Sequence, residues 1–331
     1  MNANALKPTE IAATVKLCIK KARPLFLWGA PGLGKSSIVQ QAAEALDLPV
    51  IDIRAALLDP VDLLGVPNVR DGKTFWNVPN WLPQSGSGVL FLDELSNANE
   101  AVQNALLQLV LDRKIGDYQL PDGWAIVAAG NRVTDGTFSR KLSKALGSRF
   151  ATHLELAVDL DDWCKWAIGN DVKPEVIGFV RLRPDLLHSF DPKAAGNSFP
   201  CPRTWATVSD FVGELSPSTE LAFFSGTLGD GAAAEFTAFL RIYRDLPNLD
   251  AAMMNPDSFE CPDNVSVKYA IAGAMTRKTT PDNASRAFAL MSKLPTEFQV
   301  VWLRDLSDLN PAITNCPEFT SWIIQNGDLL S

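Results

Sequence analysis

Eight consecutive residues, Gly29-Ala30-Pro31-Gly32-Leu33-Gly34-Lys35-Ser36, spell out G-x-x-x-x-G-K-[ST]. Glycines let a backbone curl until successive N–H groups and a helix N-terminus converge on one phosphate. In that setting Lys35 neutralises β- and γ-phosphate oxygens, the Ser36 hydroxyl ligates Mg2+, and Ser37 completes the set expected to hold ATP. A second acidic element lies downstream, where Val89-Leu90-Phe91-Leu92 runs into Asp93-Glu94. Two carboxylates ending an apolar strand belong at an exposed C-terminal edge, where open α/β sheets bind ligands. There Asp93 can hold the magnesium through its water shell, and Glu94 can orient and polarise an attacking water. The pair points to hydrolysis rather than to phosphorylation of a small molecule.

These residues need elements to position them. Pro24-Leu25-Phe26-Leu27-Trp28 reads as a buried strand leading into the glycine loop, with helices expected at 9–22 and 35–47. Val50–Ile53, Gly88–Leu92, Trp124–Ala129 and Thr152–Leu156 read as four more strands, and 98–112 as a helix. Apolar runs alternating with helical periodicity predict a parallel sheet covered by helices. Gly65 to Trp81 reads as a hairpin turning at Arg70-Asp71-Gly72-Lys73, because Asp-Gly is a strong hairpin signal. Beyond about residue 158 the pattern turns helical, with periodic segments at 231–245, 265–278, 284–293 and 316–326. The division expected is therefore 1–157 for the sheet domain with its insertion at about 65–81, 158–215 for a helical lid, and 216–331 for a helical extension.

Composition narrows the function class. Of 331 residues 47% are apolar and 21% charged, enough for a sizeable core in about two domains. Residues 1–150 carry 16 basic against 14 acidic side chains and 151–331 carry 14 against 24, so the halves stand at +2 and −10. No chain-wide basic surface for wrapping nucleic acid is indicated. Five widely spaced cysteines without a Cys-x-x-Cys pair indicate neither a disulfide framework nor a zinc knuckle. With no signal-like start and no stretch of 18 uninterrupted apolar residues, a cytoplasmic protein without a membrane span is expected. His153 on the fifth strand reads as a core histidine, and the Asp159-Leu160-Asp161-Asp162 run as a helix start.

Beyond the two phosphate motifs, further segments make residues 5–212 resemble an AAA+ ATPase of the MoxR-like branch, which carries an insertion in its second helix. Leu57-Leu58-Asp59-Pro60-Val61-Asp62-Leu63-Leu64-Gly65 is similar to the segment before that insertion, and Asn77-Val78-Pro79-Asn80-Trp81-Leu82 to its return. Ala128-Ala129-Gly130-Asn131 resembles the sensor 1 strand end, Ala145-Leu146-Gly147-Ser148-Arg149-Phe150 the arginine-finger motif, and Pro202-Arg203-Thr204-Trp205 the start of the sensor 2 helix. Arg132 stands where many relatives have proline, Arg140 could share the role of Arg149, and 114–123 leaves room for only a small pre-sensor hairpin.

The resemblance implies a five-stranded parallel sheet in the order 5-1-4-3-2, a helical lid, and an active site at subunit interfaces of a homo-oligomeric ring, most often a hexamer. It implies ATP with Mg2+, a catalytic set of Glu94, Asn131, Arg149 and Arg203, and Ser36 with Asp93 at the metal. Arg149 would reach the neighbouring subunit's γ-phosphate, whereas Arg203 could act in cis or in trans. Phe75, Trp76 and Trp81 could grip a protein segment or pack the hairpin onto its own domain. The first reading is a ring ATPase that remodels or activates a protein, with a von Willebrand factor A domain protein as the partner class. A DNA-directed motor is the alternative, with Arg70 and Lys73 as its contacts. A nucleotide-regulated scaffold is disfavoured because Lys35, Asp93, Glu94, Asn131 and Arg149 are all intact.

Overall fold

Apolar alternation along the central strands sends side chains to both faces of a parallel sheet, and each face is covered. The computed structural model describes residues 4–132, 135, 142–194 and 196–329, and divides them into two compact units. One unit runs to Asp159 and includes Asp191–Ala194; the other comprises Leu160–Phe190 and 195–331. The stretches expected as lid and extension thus fall in the same unit.

The first unit holds β1 (Ala5–Leu6), α1 (Pro8–Lys20), β2 (Leu25–Trp28), α2 (Lys35–Glu44), β3 (Val50–Arg54), β6 (Ser87–Asp93), α4 (Glu100–Asp112), β9 (Gly123–Gly130) and β10 (Thr152–Leu156). All pairings in this sheet are parallel, in the order β1-β10-β2-β9-β6-β3. The five expected strands occupy the expected order. A sixth was not foreseen: Ala5–Leu6 pairs with Glu155 and Leu156 at the outer edge of β10. Leu25 and Leu27, Val89 and Phe91, and Val127 pack beneath α1 and α2 against Ile11, Val15 and Val39. Their neighbours Phe26, Leu90, Leu92 and Ile126 face the opposite way, against Val102, Leu106 and Leu109 of α4. A period of two on strands buried on both faces gives near-continuous apolar runs.

The insertion begins with α3 (Pro60–Leu64) and continues as β4 (Val66–Arg70) and β5 (Lys73–Asn77), paired antiparallel. Asp71 and Gly72 make the turn with φ of 53° and 69°, the left-handed pair that tight hairpins favour. Gly65 enters at φ 82°, and a Cβ there would meet Asn77 O at 1.9 Å, so only glycine fits. Leu63 and Leu82 bury the base, and the Trp81 indole donates to Asp62 O at 3.2 Å. Farther out, Phe75 is 47% and Trp76 39% exposed. A second, two-residue hairpin, β7 (Lys114–Ile115) with β8 (Tyr118–Gln119), occupies the segment expected to hold a small one.

The second unit is helical. α6 (Leu160–Gly169), α7 (Pro174–Leu182), α8 (Pro202–Phe211), α9 (Pro217–Leu228) and α10 (Asp230–Arg244) surround Trp163, Phe179, Trp205, Phe224 and Phe236. A further core joins α11 (Leu249–Met254), α12 (Val265–Lys278), α13 (Ala284–Met291), α14 (Thr296–Leu309) and α15 (Pro317–Asn326) around Met275, Leu290, Trp302 and Leu306. Among the described residues no helix is long and apolar enough to cross a membrane.

Candidate active site

Three neighbouring strands end on one edge of the sheet, and the chemistry-bearing residues follow directly from their ends. β9 lies between β2 and β6, so the end of β9 separates the glycine loop that follows β2 from the carboxylates that close β6. This is the edge at which open α/β sheets place their ligands.

The loop from Gly29 through Ala30, Pro31, Gly32, Leu33 and Gly34 leads into Lys35, Ser36 and Ser37 at the start of α2. Gly32 has φ 80° and Gly34 φ 87°, conformations that a Cβ would strain, although nothing lies within 4 Å of a Cβ built on Gly34. Gly34 offers no side chain to cap α2, so the first-turn N–H groups are left for an anion.

Lys35 curls back over the loop. Its Nζ donates to Gly29 O at 2.6 Å, Ala30 O at 3.1 Å and Asn131 Oδ1 at 2.8 Å. The lysine and the asparagine, far apart in sequence, therefore meet. Ser36 Oγ donates to Asp93 Oδ2 at 2.7 Å, while Asp93 Oδ1 accepts from the Glu94 N–H at 2.8 Å. A hydroxyl and a carboxylate supply the hard oxygens that suit Mg2+, which takes one or two protein ligands and completes its shell from water and phosphate. Among the described residues no group of three or more His, Cys, Asp or Glu side chains could hold a metal ion.

Glu94 sits in the left-handed region at φ 54°, uncommon for a non-glycine residue. The turn closes with Asn97 N donating to Glu94 O at 2.8 Å. Asp52 on β3 was not foreseen; burial, then the nearby Asp93 charge, raises its carboxyl above the usual range, with Arg54 pulling the other way. Ser96 was also missed. Its side chain is fully buried and its Oγ accepts from Asn131 N at 3.1 Å, tying the turn after Glu94 to the end of β9. A Cβ on Gly130 would meet Ser96 Oγ at 2.6 Å, so a glycine is required where the two segments touch.

Arg132, the unusual neighbour of Asn131, is committed to acids. Its guanidinium pairs with Glu155 and, at 3.5 Å, with Asp135, whose carboxylate also accepts from Arg132 N at 2.9 Å. Arg149 is exposed on the turn after α5 (Lys144–Gly147), and Arg203 is exposed in the first turn of α8, in the other unit. Lys35, Ser36, Asp93, Glu94 and Asn131 thus gather at one edge, while the two arginines do not join them within the first unit. Arg140 lies outside the described residues.

His153, expected as a core histidine, is half-buried on β10 with both ring nitrogens engaged. Its Nδ1 accepts from the Trp28 indole at 3.1 Å and its Nε2 lies 2.8 Å from Gly147 O, an arrangement that fits a neutral ring with its proton on Nε2.

Residues 24–150 match the family described as AAA domain (dynein-related subfamily). Midasin from Giardia intestinalis is 27% identical over 186 residues, which cover 52% of this chain and 4% of that protein. The chain therefore spans only a small part of that relative. Among solved structures, a RuvB mutant of Thermotoga maritima is similar at TM-score 0.43 and 19% identity, covering 74% of this chain and 73% of that one. NtrX from Brucella abortus in complex with ADP is similar at TM-score 0.43 and 14% identity, covering 91% of this chain and 68% of that one.

Proposed function

We propose that this chain, whose residues 24–150 match an AAA ATPase domain of the dynein-related subfamily, hydrolyses ATP in a ring and uses the turnover to remodel a protein partner. The observation that carries the reading is the convergence of Lys35, Ser36, Asp93 and Asn131 where β2, β9 and β6 end.

In this reading the glycine loop and the N-terminus of α2 cradle the β-phosphate, and Lys35 neutralises the β- and γ-phosphate oxygens. Ser36 and Asp93 hold Mg2+, which when bound offsets charge on the phosphates. Glu94 accepts a proton from the attacking water as its oxygen bonds to the γ-phosphorus, and the bond to the ADP oxygen breaks on the opposite side. Asn131, next to Lys35, helps hold that water. Arg149 completes the neighbouring subunit's site, which its exposed position on the first unit allows. Arg203 is a further contact to phosphate, in cis or in trans.

The MoxR-like resemblance supplies the finer expectation of a hexamer acting on a von Willebrand factor A domain protein. Exposed Phe75 and Trp76 support the insertion as the part that engages a protein segment rather than one packed onto its own domain. Arg70 and Lys73, exposed at the hairpin tip, keep a DNA-directed motor as the second reading.

The test is ATP turnover per chain over a dilution series, with sedimentation run in parallel. Turnover is expected to rise with the fraction assembled, and equal turnover in the solitary chain would overturn the shared site. DNA-stimulated turnover that falls steeply with salt would move the assignment to the second reading.

A further inference from the structure

α5 has only four residues, too few to hold a helix by its own hydrogen bonds, yet Arg149 follows it after Ser148 alone. Something else must fix it. Two polar side chains from other elements reach its two ends, and each also bonds to a segment next to one of the two phosphate motifs.

At the N-terminal end, Gln103 of α4 is buried at 3% exposure. Its Nε2 donates to Ala98 O at 3.1 Å, in the segment that follows Glu94, and its Oε1 accepts from Ser143 N at 2.9 Å. Ser143 is the residue that caps α5, its Oγ accepting from Leu146 N at 3.2 Å. At the C-terminal end, His153 holds Gly147 O through Nε2 and Trp28 through Nδ1, and Trp28 is the last residue before Gly29. Phe150, on the other side of Arg149, packs edge-on against the His153 ring at 5.9 Å and against Phe26 at 5.2 Å. His153 thus engages both residues that bracket the Ser148-Arg149 pair, Gly147 by hydrogen bond and Phe150 by ring contact.

We infer that His153 and Gln103 are positioning residues for Arg149: they anchor α5 to the strand that enters the glycine loop and to the turn that carries Glu94, and so set where each subunit presents its arginine to the next. The inference rests on the reading of Arg149 as a residue supplied to a neighbouring site. Neither side chain needs to touch nucleotide. A buried amide and a half-buried imidazole, each with both polar atoms engaged, suit this role, because each loses a hydrogen bond if α5 shifts. Misplacement of a transition-state arginine by about 1 Å can cost about a hundredfold in rate.

The experiment mixes full-length variants carrying different tags and purifies rings that contain both. Lys35→Ala with Arg149→Ala forms the reference, since the only complete sites take their pocket from one chain and their arginine from the other. If the reference mixture is inactive, the shared-site reading fails, whatever His153 does. The test mixture places His153→Phe in the Lys35→Ala chain, whose own pocket is already disabled. Turnover at saturating ATP is expected to fall about tenfold to a hundredfold below the reference, with KM unchanged. His153→Gln, whose amide can both donate and accept, should recover most of it, and Gln103→Leu in the same chain should repeat the loss. Turnover equal to the reference in both the His153→Phe and the Gln103→Leu mixtures would overturn the inference. So would an equal loss when His153→Phe is moved to the Arg149→Ala chain, because that would mark general damage rather than placement of the arginine.

Discussion

Ser36 Oγ donates to Asp93 Oδ2 across 2.7 Å, so the hydroxyl at the end of the glycine loop and the carboxylate that ends β6 already share one small volume. A cation there needs little rearrangement of the chain. Asp93→Asn keeps the shape and an oxygen but removes the charge. Its expected effect is magnesium affinity about 10–100-fold weaker, with nucleotide still bound in the absence of the ion. Titration of a fluorescent ATP analogue with and without Mg2+ reads both quantities, and an unchanged magnesium dependence would remove Asp93 from the ion.

Glu94 adjoins Asp93 but stands apart from it in conformation, turned out of the strand at φ 54°. Glu94→Gln should leave ATP affinity within a fewfold of the parent and lower turnover by about 10²–10⁴, the usual contribution of a positioned base. Equal turnover in the two proteins would refute the role. Retained ATP with stalled chemistry would also make this variant the means of trapping a partner.

The parts of this architecture that the sequence disclosed are those governed by local rules. Leu25–Trp28, Val89–Leu92 and Trp124–Ala129 read as strands because a parallel strand buried on both faces is an unbroken apolar run. Asp71-Gly72 disclosed the hairpin because the turn needs two left-handed residues. Ala5–Leu6 stayed hidden, since two residues carry no period. α14 was not singled out, although Phe298, Trp302 and Leu306 recur at helical spacing within it. Ser96 and Gln103 were not legible at all. A buried hydroxyl or amide matters through what it meets in space, and their partners Asn131 and Ser143 lie 35 and 40 residues away. The hydrogen bond between Lys35 and Asn131 was likewise not foreseen: the family resemblance assigned both to the nucleotide site without pairing them.

Ser96→Ala tests whether the tie to Asn131 matters to the fold. Removing the hydroxyl leaves the Asn131 N–H unsatisfied beside buried Gly130, which costs about 1–3 kcal/mol. Hydrogen exchange at the end of β9 should quicken correspondingly. Because the same segment presents the Asn131 amide to Lys35, turnover should fall as well, and a variant with both quantities unchanged would show that the bond contributes nothing.

Phe75→Ala and Trp76→Ala separate engagement of a partner from packing. Both rings are substantially exposed on β5, so their loss should change stability by no more than about 0.5 kcal/mol and leave basal ATP turnover intact. Thermal melts and turnover measurements check this. A marked loss of stability would return the aromatics to a packing role and weaken the case for the hairpin as a gripping element.

Arg181 and Asp305 form a bidentate ion pair inside the helical unit. Nη1 donates to Asp305 Oδ2 and Nη2 to Oδ1, both at 2.5 Å, with the two side chains only 10% and 5% exposed. The pair joins α7 to α14, and so ties the stretch expected as a lid to the stretch expected as an extension. Removing one partner strands a charge in the interior. Asp305→Leu should therefore cost about 3–5 kcal/mol, whereas Arg181→Met combined with Asp305→Leu should recover most of that loss, because an apolar pair of similar volume avoids the desolvation of both ions. Hydrogen exchange of the amides in α14 is the appropriate measurement, since a chain of two units need not unfold in one step. Faster exchange in the single variant than in the double would identify the unpaired charge, rather than lost packing, as the source of the damage.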